Sequence, residues 1–352
     1  MTKYPLLEPV HDETFSSWAT RCSLDPHVFL ISDSDVVRWE RSVAYELASN
    51  PYCLGMEFDF EGPYAKSLLG EAGLSQELCR KLFAPSDEPL LSPAYRTAFC
   101  PECILFDVVN KRFPSWRKSW CYITRPYCTK HGCLLRFMDG YRGSDKQWIA
   151  FTKLDLGEYM PGRMSGWSRA GHGVSPSVAR NQLTLRVQTW VEGIYSSASR
   201  TPRFTGQLVD NNLMRTAIDL MLRLSLVHRT KRTQAGTAKI AFSCFSPPID
   251  HTGFELHHRL RNGSPRSVPY ERMCVLWLIG KVFRVYTASE SILLHRMVHE
   301  AEFSLPATLG ELGEIYGSGL LDGEAKILAE LFTRLNVAQV LDGEFLEGLI
   351  GY

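Results

Sequence analysis

Four side chains are spaced to converge on one metal ion. They are Cys100 and Cys103 in Phe99-Cys100-Pro101-Glu102-Cys103, and Cys128 and His131 in Cys128-Thr129-Lys130-His131-Gly132. The pattern C-x2-C-x24-C-x2-H offers soft and borderline donors in two close pairs, which is how a chain builds a tetrahedral zinc site. The first pair places two thiolates on one side of the ion, and the second answers from the other, with Pro101 and Gly132 helping the turns. One Zn2+ is predicted. Its role is structural, because four full ligands leave no open position for water or substrate. The nearby acids, Glu102 and Asp107, do not sit in a hydrolase arrangement. A zinc hydrolase would need a three-ligand site with an exchangeable water. Cys121 and Cys133 are spare thiols, read as small buried hydrophobes.

The span Lys111-Arg112-Phe113-Pro114-Ser115-Trp116-Arg117-Lys118 joins cations to aromatics. Cations can meet a phosphate backbone, and aromatics can stack on bases or pack on sugars. Lys111, Arg112, Arg117 and Lys118 are therefore candidate nucleic-acid or partner contacts, with a solvated loop an equal reading. Trp120 is assigned to the core of the module. A second basic set, Arg223, Arg229, Lys231 and Arg232, lies at a helix end, where cations also complement the dipole. His257-His258 with Arg259 and Arg261 is a weaker patch. His295 and His299 stand four apart on one helical face. Without an H-E-x-x-H pattern they are read as ordinary surface or core residues. The sequence has no G-x4-G-K-[ST] phosphate loop, no G-x-S-x-G elbow and no acidic triad that spacing could justify. No catalytic residue is assigned, and the chain is not predicted to be an enzyme.

These residues need a scaffold, and 352 residues with 45% hydrophobic and 22% charged content suffice for two or three soluble domains. Helical spacing marks Phe15, Trp18, Ala19 and Cys22, with Asp12 as the expected N-cap. It recurs over Tyr64 to Phe83, broken at Gly70 and Gly73, and over Leu183 to Tyr195, Asn211 to Val227 and Pro269 to Tyr286. The expected organisation is a helical, helix-turn-helix-like domain over 1–94 and a zinc-ribbon module over 95–140. A loop-rich Trp/Gly segment follows over 141–182, with a short hairpin around Trp148 to Phe151, then a helical domain over 183–352. The fold class is therefore mainly α with a small zinc ribbon (α+β). The echo Leu321-Asp322-Gly323-Glu324 and Leu341-Asp342-Gly343-Glu344 reads as recurrent helix capping. From Phe99 to Phe137 seven Lys/Arg face two acids, which suits an anionic partner. From Glu300 to Tyr352 two Lys/Arg face ten acids, which suits a protein partner or self-association. No stretch has a signal-peptide layout, and the longest apolar run, Cys274 to Gly280, is too short to span a bilayer. A cytoplasmic location with reduced or metal-held thiols is expected, with no membrane association.

Two segments resemble the TniQ/TnsD family of transposition proteins. The first is F-C-P-E-C-I…F-P-S-W-R-K-S-W…C-T-K-H-G-C-L-L, with Trp120 and Leu135 at the family's tryptophan and leucine positions. The second is Pro9…Glu13-Thr14-Phe15-Ser16-Ser17-Trp18…Arg21, similar to the family's opening. Together they cover roughly the first 140 residues. The resemblance implies a non-enzymatic target-site selector that links target DNA, or a CRISPR effector complex, to the transposition AAA+ ATPase and transposase. It also implies helix-turn-helix elements around the zinc module and, by analogy, a homodimer. Many members carry a second ribbon, but here no cysteine falls between Cys133 and Cys244. The 141–182 segment is then a metal-free counterpart. The alternative expectation is a stand-alone, zinc-containing, sequence-specific DNA-binding regulator.

Overall fold

The computed structural model describes residues 7–25, 34, 36–39, 41–42, 55–71, 74–110, 112–139, 143, 145–154, 176–196, 203–204, 207–227, 242, 256–301, 303, 305–318, 320 and 323–351. The chain is mainly helical and divides into two compact units. One comprises 1–86, 91–122 and 135–158, and the other 87–90, 123–134 and 159–352. No helix among the described residues is long and apolar enough to cross a membrane.

The first unit is built on α1 (Phe15–Leu24), α2 (Pro63–Glu71) and α3 (Gln76–Phe83). Their apolar faces bury Phe15, Trp18, Trp39, Leu69 and Phe83 in one cluster. The Phe15 ring meets Trp39 and Phe83 edge-on, each with centroids 5.3 Å apart, a favoured aromatic geometry. Thr14 caps α1, its hydroxyl accepting the Ser17 N–H. Asp12 does not. It takes a left-handed φ of 64°, and its carbonyl and carboxylate accept the N–H groups of Lys118 and Ser119 instead. Helix α2 runs through Gly70 to Glu71, Gly73 lies outside the described residues, and Ser75 caps α3.

After β1 (Ala98–Phe99) comes α4 (Pro101–Val109), and β4 (Arg136–Phe137) pairs antiparallel with β1. The hairpin expected at Trp148 to Phe151 is instead a helix, α5 (Lys146–Thr152). Its burial pattern explains the difference: Lys146, Gln147 and Ala150 point inward at helical spacing, and the Trp148 ring meets Phe151 one turn on.

Lys146 reaches a buried carboxylate, Glu57, which also takes Arg96 Nη1 at 3.0 Å. Burial works against charge on Glu57, but Lys146 and Arg96 outweigh it and hold its pKa below the ordinary carboxylate value. A group depressed in this way stabilises the fold above its unfolded pKa, about 4.3. That contribution is lost as pH falls through the folded value. Thermal melts taken below about pH 4.3 are therefore expected to show a steep loss of stability. Glu57→Gln should flatten that slope, and an unchanged slope would contradict the assignment.

The second unit contains β2 (Tyr127–Cys128) and β3 (Cys133–Leu134), paired antiparallel, and a set of helices. These are α6 (Pro176–Tyr195), α7 (Asn211–Ser225), α8 (Leu256–Gly263), α9 (Pro269–Val282) and α10 (Ala288–Glu300). The strands β5 (Arg203–Phe204) and β6 (Gln207–Leu208) form a short ribbon between α6 and α7. Pro269 opens α9 at its first turn. Almost every α9 side chain is buried, the charged Glu271 and Arg272 included. Trp277 of α9 donates from Nε1 to the Thr184 hydroxyl of α6 at 2.9 Å.

The acidic end folds as α11 (Leu309–Ser318), α12 (Glu324–Arg334) and α13 (Gly343–Ile350). The two halves of the echo are capped differently. Gly323, at φ +83°, sits at the N-cap of α12, whereas the Asp342 side chain accepts the Glu344 N–H ahead of α13. Asp322 lies outside the described residues. Helices α11 and α13 touch through backbone. A Cβ on Gly313 would stand 2.2 Å from the Phe345 carbonyl oxygen, and one on Gly348 would stand 2.1 Å from that of Gly310.

Candidate metal centre

Each ligand is placed by a local device. Cys100 is the N-cap of α4 and Pro101 its first helical residue, so the fixed φ of proline starts the helix without losing a needed N–H. Cys103 follows within the first turn, where the exposed helix N–H groups and the dipole favour thiolates. Both are buried. On the other side, Cys128 ends β2, and the Gly132 N–H donates to its carbonyl at 2.8 Å. Gly132 closes this turn at φ +60°, a conformation that glycine takes without a Cβ penalty. The turn leaves His131 half-buried beside the buried Cys128.

The ligand atoms of Cys100, Cys103, Cys128 and His131 all lie within 4.8 Å of one another. Their donor set fits a thiophilic ion and is unsuited to the hard cations magnesium and calcium. A tetrahedral ion at ~2.3 Å from sulfur and ~2.0–2.1 Å from nitrogen would set Sγ and Nδ1 about 3.6 Å apart. The distance from Cys128 Sγ to His131 Nδ1 is 3.6 Å. One edge of the cluster therefore has the length that a tetrahedral ion would set.

The spare thiols stay outside this cluster. Cys121 is fully buried, and burial pushes its thiol up to about 12 despite the opposing Lys146 and Arg96 charges. A thiol so placed stays protonated and packs as an apolar group. Cys133 pairs across the sheet with Cys128 but is not among the converging ligands.

The intervening span is anchored by its own polar groups. Asp107 of α4 accepts both Arg117 Nη2 contacts, at 2.8 and 2.9 Å, together with the Ser115 hydroxyl and N–H. Lys118 Nζ donates to the Leu82 and Ala84 carbonyls at the end of α3, and burial lowers its pKa. Arg117 and Lys118 thus hold the span in place, while Arg112 is exposed to solvent. Trp120 is buried as expected, meeting Trp116 edge-on at 5.1 Å. Leu135 is buried as well. Lys111 and the basic residues Arg229, Lys231 and Arg232 lie outside the described residues. Arg223 pairs with Asp219 one turn back along α7.

A feature with no spacing signature joins the opening motif to this span. Glu13 chelates Arg21 through Nε at 2.8 Å and Nη2 at 2.6 Å, and accepts the Ser17 hydroxyl at 2.7 Å. Ser17 Oγ in turn accepts the Trp116 N–H at 2.8 Å, and the Trp116 carbonyl accepts the Thr14 N–H at 2.9 Å. Ser17 and Arg21 share one face of α1, but Glu13 precedes the Thr14 cap, so helical spacing alone does not bring the three together.

The fold and site define a mainly helical protein with a Cys3His cluster, its cysteines buried and its histidine half-buried, at metal-binding distances. No family model, curated protein or solved structure matches the chain.

Proposed function

We propose that the chain is a non-enzymatic adaptor for DNA transposition, of the TniQ/TnsD kind that its motifs resemble. It links target DNA, or an RNA-guided effector complex, to an AAA+ ATPase and transposase. One observation carries this reading: the two motif-bearing segments lock together. Glu13, Ser17 and Arg21 of the opening motif are tied to the backbone of Trp116 in the span between the cysteine pairs. Residues about a hundred positions apart that resemble one family therefore act as one structural element here.

In this reading the four ligands hold one structural Zn2+ and form a zinc ribbon. The ion supplies a cross-link, and the chain's own residues set the ligands, cover them and present the surrounding surface. Helix-turn-helix-like elements would be supplied by the helices on either side of the zinc module. The exposed Arg112 is available to an anionic partner.

The neighbouring genes and a co-purification test the proposal. Transposase and AAA+ ATPase genes should lie beside this one, and the tagged chain should retain that ATPase on a column in the presence of ATP. Absence of such genes, or an ATPase that flows through, would overturn it. Binding of the pure protein to attachment-site DNA, titrated with salt, then separates direct reading from docking on an RNA-guided complex.

A further inference from the structure

A glutamine belongs in a protein interior only when its amide atoms are paired. Gln188 of α6 is fully buried, and its partner is the backbone of Tyr127, the residue before Cys128. Gln188 Oε1 accepts the Tyr127 N–H, and Nε2 donates to the Tyr127 carbonyl, each at 3.1 Å. Two opposed residues of an antiparallel ladder make the same exchange, so a side-chain amide stands here in place of a second strand. Nε2 also donates to Glu192 Oε1, one turn on, at 3.1 Å.

The same stripe of α6 follows the chain on either side of Tyr127. Asn181 Oδ1 accepts the Tyr127 hydroxyl at 3.0 Å. Leu185 Cδ1 stands 3.7 Å from the place a Cβ on Gly132 would take, and Glu192 meets Arg125 Nε at 3.6 Å. Residues 181, 185, 188 and 192 fall at i, i+4, i+7 and i+11, a single helical stripe. Arg125 is held in turn by the buried Glu88, whose Oε2 lies 2.9 Å from Nε. Beside the stripe, the bond from Trp277 to Thr184 ties α6 to α9, so an anchored helix presents these contacts.

Strand β2 is two residues long, too short to hold a register by itself. A slip of one residue would turn the Cys128 side chain to the opposite face, away from the other ligands. The Gln188 amide takes both backbone groups of a single residue, and that residue is Tyr127. With Tyr127 so held, Cys128 Sγ lies 3.6 Å from His131 Nδ1. Two hydrogen bonds fix the register without making so short a strand stable alone, and that part is left to the ion.

We infer that Gln188 is a positioning residue of the metal centre, setting the register of β2 so that Cys128 and His131 face the ion. It acts through the backbone of Tyr127 and not as a ligand. This role rests on the assignment of Cys100, Cys103, Cys128 and His131 as ligands.

The test uses the full chain loaded with Co2+, whose visible absorption reports ligand geometry, and a chelator that competes for the metal. The parent should hold one Co2+ and show the intense bands of a tetrahedral thiolate site. Gln188→Met keeps the length of the side chain and removes both bonds to Tyr127. It should lower metal affinity at least about tenfold, as loss of an outer-shell contact does, and weaken the tetrahedral bands. Thr184→Val, one turn earlier on α6, removes the bond from Trp277 and none to Tyr127. It should lower the melting temperature and leave affinity and spectrum as in the parent. If Gln188→Met does not fold, Gln188→Glu takes its place, keeping the acceptor for the Tyr127 N–H and losing the donor, with the same expected loss. Parent-like affinity and spectrum in the Gln188 variant, or an equal loss of affinity in Thr184→Val, would overturn the role. A parent that takes up no Co2+ overturns the ligand assignment itself, and this role with it, so the two failures are told apart.

Discussion

Cys128→Ser is expected to release the metal and to melt the short sheets beside it. Elemental analysis of the purified variant should find less than about 0.1 equivalent of zinc, against one in the parent. The size of the effect follows from how little else holds this segment together. Strands β1 to β4 are two residues long each, well below the length at which a hairpin is stable alone. Structural zinc supplies roughly 10–16 kcal/mol of apparent binding energy in comparable small modules. Losing one of three thiolates removes much of that and opens the tetrahedron to water. Cys133→Ser is the matched control. It alters the residue directly across the sheet from Cys128 but leaves the converging set intact, so zinc should stay near one equivalent. Full zinc retention in Cys128→Ser, or equal loss in both variants, would sink the ligand assignment.

The second large effect is expected at Glu13. Glu13→Ala leaves the Arg21 guanidinium, whose side chain is only 6% exposed, without its counter-charge. Breaking one side of such a buried pair costs about 3–5 kcal/mol. The substitution also removes the acceptor that orients the Ser17 hydroxyl toward its contact with Trp116. Urea unfolding followed by tryptophan fluorescence should show the loss as a lower midpoint. The double variant Glu13→Ala/Arg21→Met should recover a substantial part of it, because no unpaired charge remains buried. If the two single losses simply add, the pair is not coupled and the clamp is not the element described here.

These two sites differ in how well the sequence foretold them. The converging Cys3His set was legible because metal chelation would constrain local spacing, and two x2 pairs stand in the sequence as a readable pattern. Helix α9 was legible for a similar reason, an apolar run opened by Pro269. Asp12 was misplaced as a cap because a side chain suited to accept N–H groups served a 3-10 turn more than a hundred residues on. The short hairpin expected around Trp148 to Phe151 within a loop-rich segment is a helix because packing on one face imposes helical spacing. The network of Glu57, Arg96 and Lys146 left no trace, since three residues so far apart meet only through tertiary folding. Arg117 and Lys118 looked equally suited to phosphate and to solvent. Their real partners, Asp107 and the carbonyls of Leu82 and Ala84, belong to other elements.

The contact of α11 with α13 bears on how this sequence can drift over time. Where backbone meets backbone at Gly313 and Gly348, a single added methyl group has nowhere to go, so substitution there is closed off. The outward acids Glu314, Glu330 and Glu347 meet no such barrier and can be exchanged or shifted with little consequence for folding. Among diverging descendants of this chain, the seam should stay fixed while the pattern of negative charge around it wanders. The tail can thus change its surface charge without changing its shape.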